Sequence, residues 1–255
     1  MKEVKILAIG NSFSEDATHY LYQMATSMDV KLKVVNLCIG GCSLERHYRN
    51  LDLGEKTYSY QINGCKTDRL VSINEMLESE KWDYIVTQQA SHDSGWICSY
   101  EPFLGKMIEI FRQKAPEVIL CLQETWAYEI ESSHGCFMRY GRDQQTMYQS
   151  LHHCYCTMAE KYNLKLIPSG TVIQQVRKLP EFDFGNGGIS LCRDGFHMSF
   201  DYGRYLVACV WLRTLFGVDA EKIPYFPDSL NLTAEPEQVL LDVIKRAVNC
   251  AIPNT

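Results

Sequence analysis

Val4-Lys5-Ile6-Leu7-Ala8-Ile9-Gly10-Asn11-Ser12-Phe13-Ser14 is the stretch that decides how the rest of the chain is read. Val4 to Ile9 is a short β-branched, apolar run of the kind that forms a strand buried on both faces. Gly10 permits a tight turn, and a helical pattern follows from about Glu15 to Met28. A strand feeding directly into a helix is one half of a βαβ unit. In an open α/β sheet, ligands bind beyond the carboxyl ends of such strands. Ser12 therefore stands where a hydroxyl reaches the mouth of a site and where a backbone N–H can stabilise developing negative charge. A plain alternative stays open at this point, because Ser12 or Ser14 could equally be a helix N-cap.

Working outward, the same alternation recurs. Lys31 to Leu37, Trp82 to Thr87, Val118 to Leu122 and Leu164 to Ile167 read as four further strands, the last stopped by Pro168. Helical patterns lie at roughly Glu101 to Lys114, Phe137 to Tyr162, Tyr202 to Phe216 and Glu235 to Ala251. Tyr58 to Cys65 reads as a small hairpin, and Glu45-Arg46-His47 as the solvated start of a helix. Strands alternating with helices predict an α/β fold: a three-layer α/β/α sandwich around a central parallel sheet of five strands. No repeat, low-complexity tract or linker interrupts the pattern, so residues 1–255 are expected to form a single domain.

Bulk properties narrow the function classes. Apolar residues make up 46% and charged residues 22% of the 255, ordinary values for a globular protein. A net charge of −6 with no cluster of Lys and Arg argues against a nucleic-acid partner. No stretch approaches the roughly 20 apolar residues needed to span a bilayer. The N-terminus lacks the features of an export signal, so a cytoplasmic location and no membrane partner are expected. The eleven cysteines show no disulfide spacing. Cys154-Tyr155-Cys156 beside His152 and His153 is not expected to bind metal, because residues two apart on a helix diverge. The two histidines read as helix surface. No metal or organic cofactor is implied, and a homodimer is compatible with the aromatic and apolar content.

Three further segments carry chemistry. Arg193-Asp194-Gly195-Phe196-His197-Met198-Ser199 follows the fifth strand and precedes a helix. A hydrolytic serine needs a base, and the base needs a carboxylate to hold its tautomer; Asp194 and His197, three apart on one turn, can face a common point. Asn36-Leu37-Cys38-Ile39-Gly40-Gly41-Cys42-Ser43-Leu44 follows the second strand, where a glycine can present an unobstructed N–H to an oxyanion. Thr87-Gln88-Gln89-Ala90-Ser91-His92-Asp93-Ser94-Gly95 follows the third strand and offers side-chain amides. Each segment alone is also compatible with an ordinary turn or polar loop.

Together the four segments resemble the SGNH (GDSL-like) hydrolase superfamily. That superfamily has a nucleophile after strand one, a glycine after strand two, an amide after strand three and a D-x-x-H near the end. More narrowly, Ile9 to Ser14, Gly40 to Leu44, Gln88-Gln89 and Asp194 to His197 look like an uncharacterised SGNH-like family common in gut bacteria. The resemblance spans nearly the whole chain and implies a flavodoxin-like SGNH fold. It also implies Ser12 as nucleophile, His197 as base and Asp194 as its orienter, with the N–H groups of Ser12 and Gly41 in the oxyanion hole. Two departures stand out. Asn11 occupies the place of the usual Asp, and the G-x-N-D after strand three is absent. Gln89 is the first choice for the missing amide, His92 the second and Gln88 the third.

Trp126, in Thr125-Trp126-Ala127-Tyr128 after the fourth strand, is a candidate for stacking on a sugar face, and Tyr140 and Gln144 are candidates for lining the pocket. The expected activity is a serine esterase acting on a small acyl ester such as acetyl, on a small molecule or carbohydrate. The alternatives are an SGNH-fold carbohydrate-binding protein without catalysis, and an acyltransferase using the same residues. An imidazole base predicts activity that falls below about pH 6 to 7.

Overall fold

The computed structural model describes residues 3–227 and 235–253. In chain order the elements are β1 (Val4–Gly10), α1 (Ser12–Thr18), α2 (Leu21–Ser27), β2 (Leu32–Cys38), α3 (Leu44–Leu53), β3 (Tyr58–Ile62), β4 (Cys65–Val71), α4 (Ile73–Ser79) and β5 (Tyr84–Thr87). They continue with α5 (Phe103–Lys114), β6 (Ile119–Gln123), α6 (Gln144–Tyr162), β7 (Lys165–Ile167), α7 (Ser169–Val176), α8 (Tyr202–Phe216) and α9 (Glu235–Ala251).

One sheet runs through the molecule in the order β4-β3-β2-β1-β5-β6-β7. The five expected strands are all parallel members of it. The count of five is corrected to seven, because β3 and β4 add an antiparallel hairpin beyond β2. Its turn is Asn63-Gly64, with both residues at positive φ (53° and 82°), the backbone that a two-residue hairpin needs. The sequence ended this hairpin too early for a physical reason. β4 is exposed along six of its seven residues, so it has no buried face and no apolar alternation to read.

Right-handed crossovers sort the helices. The chain leaves β1 in one direction to β2, then returns past β1 to β5, β6 and β7. Connections made in opposite directions lie on opposite faces of the sheet. Accordingly α1, α2, α7, α8 and α9 contact one another, while α3, α4 and α5 form a second group. α8 is buried on nearly every side, Arg204 and Arg213 included, and so shows no amphipathic stripe. The reversal between β1 and β5 is a topological switch point, and the crevice beyond the carboxyl ends of those two strands is where such folds take ligands.

Several helix expectations are corrected. The helix expected from Glu15 to Met28 breaks into α1 and α2 around His19 and Tyr20. The one expected from Phe137 to Tyr162 is a run of 3₁₀ turns, Gly135–Tyr140, and then α6. Gly141 and Arg142 separate them at positive φ, and Asp143 caps α6 by accepting from Thr146 N. His47 is no solvated residue. It is fully buried, its Nδ1 lies 2.8 Å from Tyr58 Oη, and burial pushes its pKa down to about 3.

Candidate active site

Gly10 closes β1, and its lack of a side chain is required: a Cβ there would lie 2.6 Å from Ser14 Oγ. Asn11 follows in an extended conformation and caps α1, its Oδ1 accepting from Phe13 N at 3.0 Å. The same Oδ1 accepts from Gln88 Nε2 at 2.8 Å, while Asn11 Nδ2 donates to Cys42 O at 3.1 Å. One buried amide thus joins the loops after β1, β2 and β5. This explains asparagine at a position where aspartate is usual: a carboxylate could take the bond from Gln88 but could not donate to the Cys42 carbonyl.

Ser12 opens α1, so its N–H is among the donors that a helix leaves unpaired. Its Oγ lies 2.8 Å from His197 Nε2, across 185 residues of sequence. His197 Nδ1 lies 2.7 Å from Asp194 Oδ2. Asp194 Oδ1 accepts from the backbone N–H groups of His197 (2.8 Å) and Phe196 (3.2 Å). Partial burial raises the Asp194 pKa, but these hydrogen bonds from His197 and Phe196 outweigh it and hold the carboxyl below its usual range. An ionised Asp194 accepts a hydrogen bond from His197 Nδ1–H and so fixes the ring's proton on Nδ1. That leaves Nε2 as an acceptor facing the serine hydroxyl.

The loop carrying Asp194 and His197 is pinned at both ends. Arg193 Nη1 donates to Asp16 Oδ1 and Oδ2 (3.0 and 3.2 Å), and Met198 N donates to Asp16 Oδ2 (2.9 Å). Arg204 Nε from α8 completes the shell of Asp16 at 2.8 Å. Asp16 belongs to the helix that Ser12 begins, so this buried carboxylate fixes the imidazole loop to the helix of Ser12. Between the ends, Trp126 Nε1 donates to Phe196 O at 2.8 Å and Glu129 N to Gly195 O at 2.7 Å.

A cleft of about 270 Å³ opens over Ser12. Phe13 and Phe196 supply its apolar wall, Gly40 and Gly41 line it from the β2 loop, and Ser91, His92 and His134 border it with His197. Gly41 is held at φ +62° with open space where a side chain would be. A larger hollow of about 590 Å³ between Arg112 and Lys165 contains no nucleophile beside an imidazole. Among the described residues no group of three or more His, Cys, Asp or Glu side chains is arranged to hold a metal ion.

Five expected site residues lie elsewhere. Gln89 is fully buried, its Nε2 donating to Ser99 O and Ser99 Oγ at 2.9 and 3.0 Å and its Oε1 accepting from Leu44 N and Ala90 N. Its amide is spent on folding the loop, leaving no N–H for an oxyanion. Gln88 is likewise buried and donates to Asn11. Trp126 is fully buried, stacked on Phe13 with ring centroids 4.2 Å apart, so no sugar can reach its face. Tyr140 is 5% exposed and accepts from Gly95 N while donating to His92 O, which shapes the His92 loop from behind. Gln144 donates to Tyr128 O and Glu129 Oε1, again behind the cleft wall. His92 does line the cleft. His152 is not plain helix surface: its Nδ1 lies 2.7 Å from Oε1 of the buried Glu124. Sequence reasoning missed His134, whose flanking Ser132-Ser133-His134-Gly135 has no periodicity that would have marked it.

A family model described as "Domain of unknown function (DUF4886)" matches residues 5–240. A crystal structure of a DUF4886 family protein from Bacteroides uniformis is 33% identical and superposes with a TM-score of 0.88, covering 100% of this chain and 97% of that one. A putative SGNH hydrolase from Slackia heliotrinireducens is 20% identical with a TM-score of 0.57, covering 84% of this chain and 100% of its own. An acetylxylan esterase from Geobacillus stearothermophilus, solved as a catalytic mutant, is 14% identical with a TM-score of 0.57, covering 84% of this chain and 95% of its own. The fold is therefore that of the SGNH hydrolases. Among curated proteins nothing matches.

Proposed function

Since the chain belongs to the DUF4886 family and has the SGNH hydrolase fold, we propose that it is a serine esterase that removes a small acyl group, such as acetyl. The observation that carries this reading is the continuous chain from Ser12 Oγ through His197 to Asp194, with steps of 2.8 and 2.7 Å. Ser12 Oγ attacks the ester carbonyl carbon as its proton passes to His197 Nε2, and Asp194 stabilises the imidazolium that forms. The oxyanion is received by the N–H groups of Ser12 and Gly41. His92 takes the third place, because the amides of Gln88 and Gln89 are engaged elsewhere. His197 then protonates the departing alcohol, and water, deprotonated by His197, releases the acid and restores Ser12.

The modest cleft and its phenylalanine wall favour a short acyl chain over a fatty one. The acetylxylan esterase sharing this fold is consistent with a carbohydrate ester. The test is hydrolysis of p-nitrophenyl acetate by the wild-type protein and by Ser12→Ala. The variant should lose about 10⁴-fold or more in kcat, with unchanged circular dichroism. Equal rates would overturn the proposal and favour a binding protein without catalysis. Transfer of the acetyl group to an added alcohol, in preference to water, would make the protein an acyltransferase.

A further inference from the structure

The cleft contains a side-chain hydrogen-bond donor that the esterase reading leaves unused. His134 borders the cleft, and its Nδ1 accepts from the backbone N–H of Cys136 at 3.2 Å. The neutral ring therefore carries its proton on Nε2. That N–H has no hydrogen-bond partner among the described residues. The ring is held in place nonetheless: its centroid is 4.8 Å from Tyr128, 4.9 Å from Phe196 and 6.4 Å from the nearly parallel ring of His92. Burial pushes its pKa below the usual histidine value, and the neighbouring His92 and His197 push the same way against an opposing pull from Asp194, which favours the neutral ring.

Strand order says which part of a substrate His134 meets. At the carboxyl edge of the sheet, Gly41 follows β2, Ser12 follows β1, His92 follows β5 and His134 follows β6. The oxyanion donors occupy the first three of these places, and His134 stands beyond them. It is linked to His197 through Phe196, whose ring is 4.2 Å from that of His197. His197 protonates the leaving oxygen, so the alcohol departs on the side of His134.

Building on the esterase reading, we infer that His134 contacts the substrate's alcohol portion, donating through Nε2–H to an uncharged oxygen beside the scissile ester. A single neutral N–H suits a hydroxyl or ring oxygen, whereas a carboxylate or phosphate calls for cationic or multiple donors. The substrates favoured are then acyl esters of polyhydroxylated alcohols, saccharides foremost.

The test compares two acetates, a methyl xyloside monoacetate with a free vicinal hydroxyl and cyclohexyl acetate, which has none. The wild-type protein should prefer the glycoside in kcat/KM. In His134→Phe, which keeps a ring but lacks the donor, that preference should fall about tenfold, chiefly through KM. His134→Gln, which returns an N–H at similar reach, should recover part of it. An unchanged ratio in His134→Phe, or a wild-type protein with no preference for the glycoside, overturns the inference while leaving the esterase reading intact. Absence of p-nitrophenyl acetate hydrolysis by the wild type overturns both.

Discussion

Asn11 shows how a departure from a family pattern can be explained by one hydrogen atom. Its amide must accept from Gln88 and Phe13 and also donate to the Cys42 carbonyl. Asn11→Asp sets a carboxylate oxygen against that carbonyl inside a buried turn. It should lower unfolding stability by about 1–3 kcal/mol in urea titration at neutral pH; an unchanged midpoint would mean that the Cys42 bond contributes nothing. At this scale the sequence was informative about which residues the chain brings together. Ser12, Asp194, His197, Gly41 and His92 are all at the cleft or beside it. It was uninformative about side-chain direction. Gln88, Gln89 and Trp126 sit at the carboxyl edge as expected, but their polar atoms are engaged with Asn11, Ser99 and Phe196.

Among elements, the most consequential contact is between α1 and the loop that precedes α8. Asp16 accepts from Arg193, Arg204 and Met198 N, and its side chain is completely buried. Asp16→Asn keeps the shape but leaves two guanidinium groups without their counter-charge, a change that typically costs about 3–5 kcal/mol when the pair is buried. Because this contact also sets where His197 lies relative to Ser12, kcat should fall at least about tenfold with little change in KM. Rates are to be measured well below the melting temperature. A variant that melts earlier yet keeps its kcat would show that the clamp serves folding alone. β1, β2, β5 and β6 were legible because burial writes them as largely apolar runs, and the edge strand β7, exposed at Lys165, because Pro168 stops its short run. β4, which is exposed, left no period to detect, and α7, at eight residues, is shorter than the window a helical period needs.

For the molecule as a whole, the pH dependence of stability has a contribution away from the cleft. Glu124 is fully buried at the start of α7, where its Oε2 accepts from Thr171 N at 2.6 Å. Its Oε1 is bonded to His152, and that hydrogen bond raises the His152 pKa above the usual histidine value. A group whose pKa is higher in the folded state contributes stability fully below its unfolded pKa, about 6.5, and loses that contribution as pH rises through the folded value. This contribution therefore pulls the urea midpoint down from about pH 6.5 to pH 8.5, opposite in sense to the buried His47, whose lowered pKa pulls it up as pH rises towards neutrality. The wild-type midpoint minus that of His152→Gln should decline over this range, and a difference that does not change with pH would assign the slope to other groups.

The appended hairpin is tied to the Ser12 cleft by more than sheet pairing. From Lys66 on β4, polar contacts run through Glu15, Gln61 and Asn36 to Ser14, two residues past Ser12. Trimming the protein to a minimal five-stranded version would leave Asn36 Nδ2 without its acceptor on Gln61, and Glu15 without Gln61 and Lys66, beneath the turn that carries Ser12. Any shortened derivative therefore needs apolar replacements at those two positions, and local opening of the hairpin should register as faster amide exchange around Ser14.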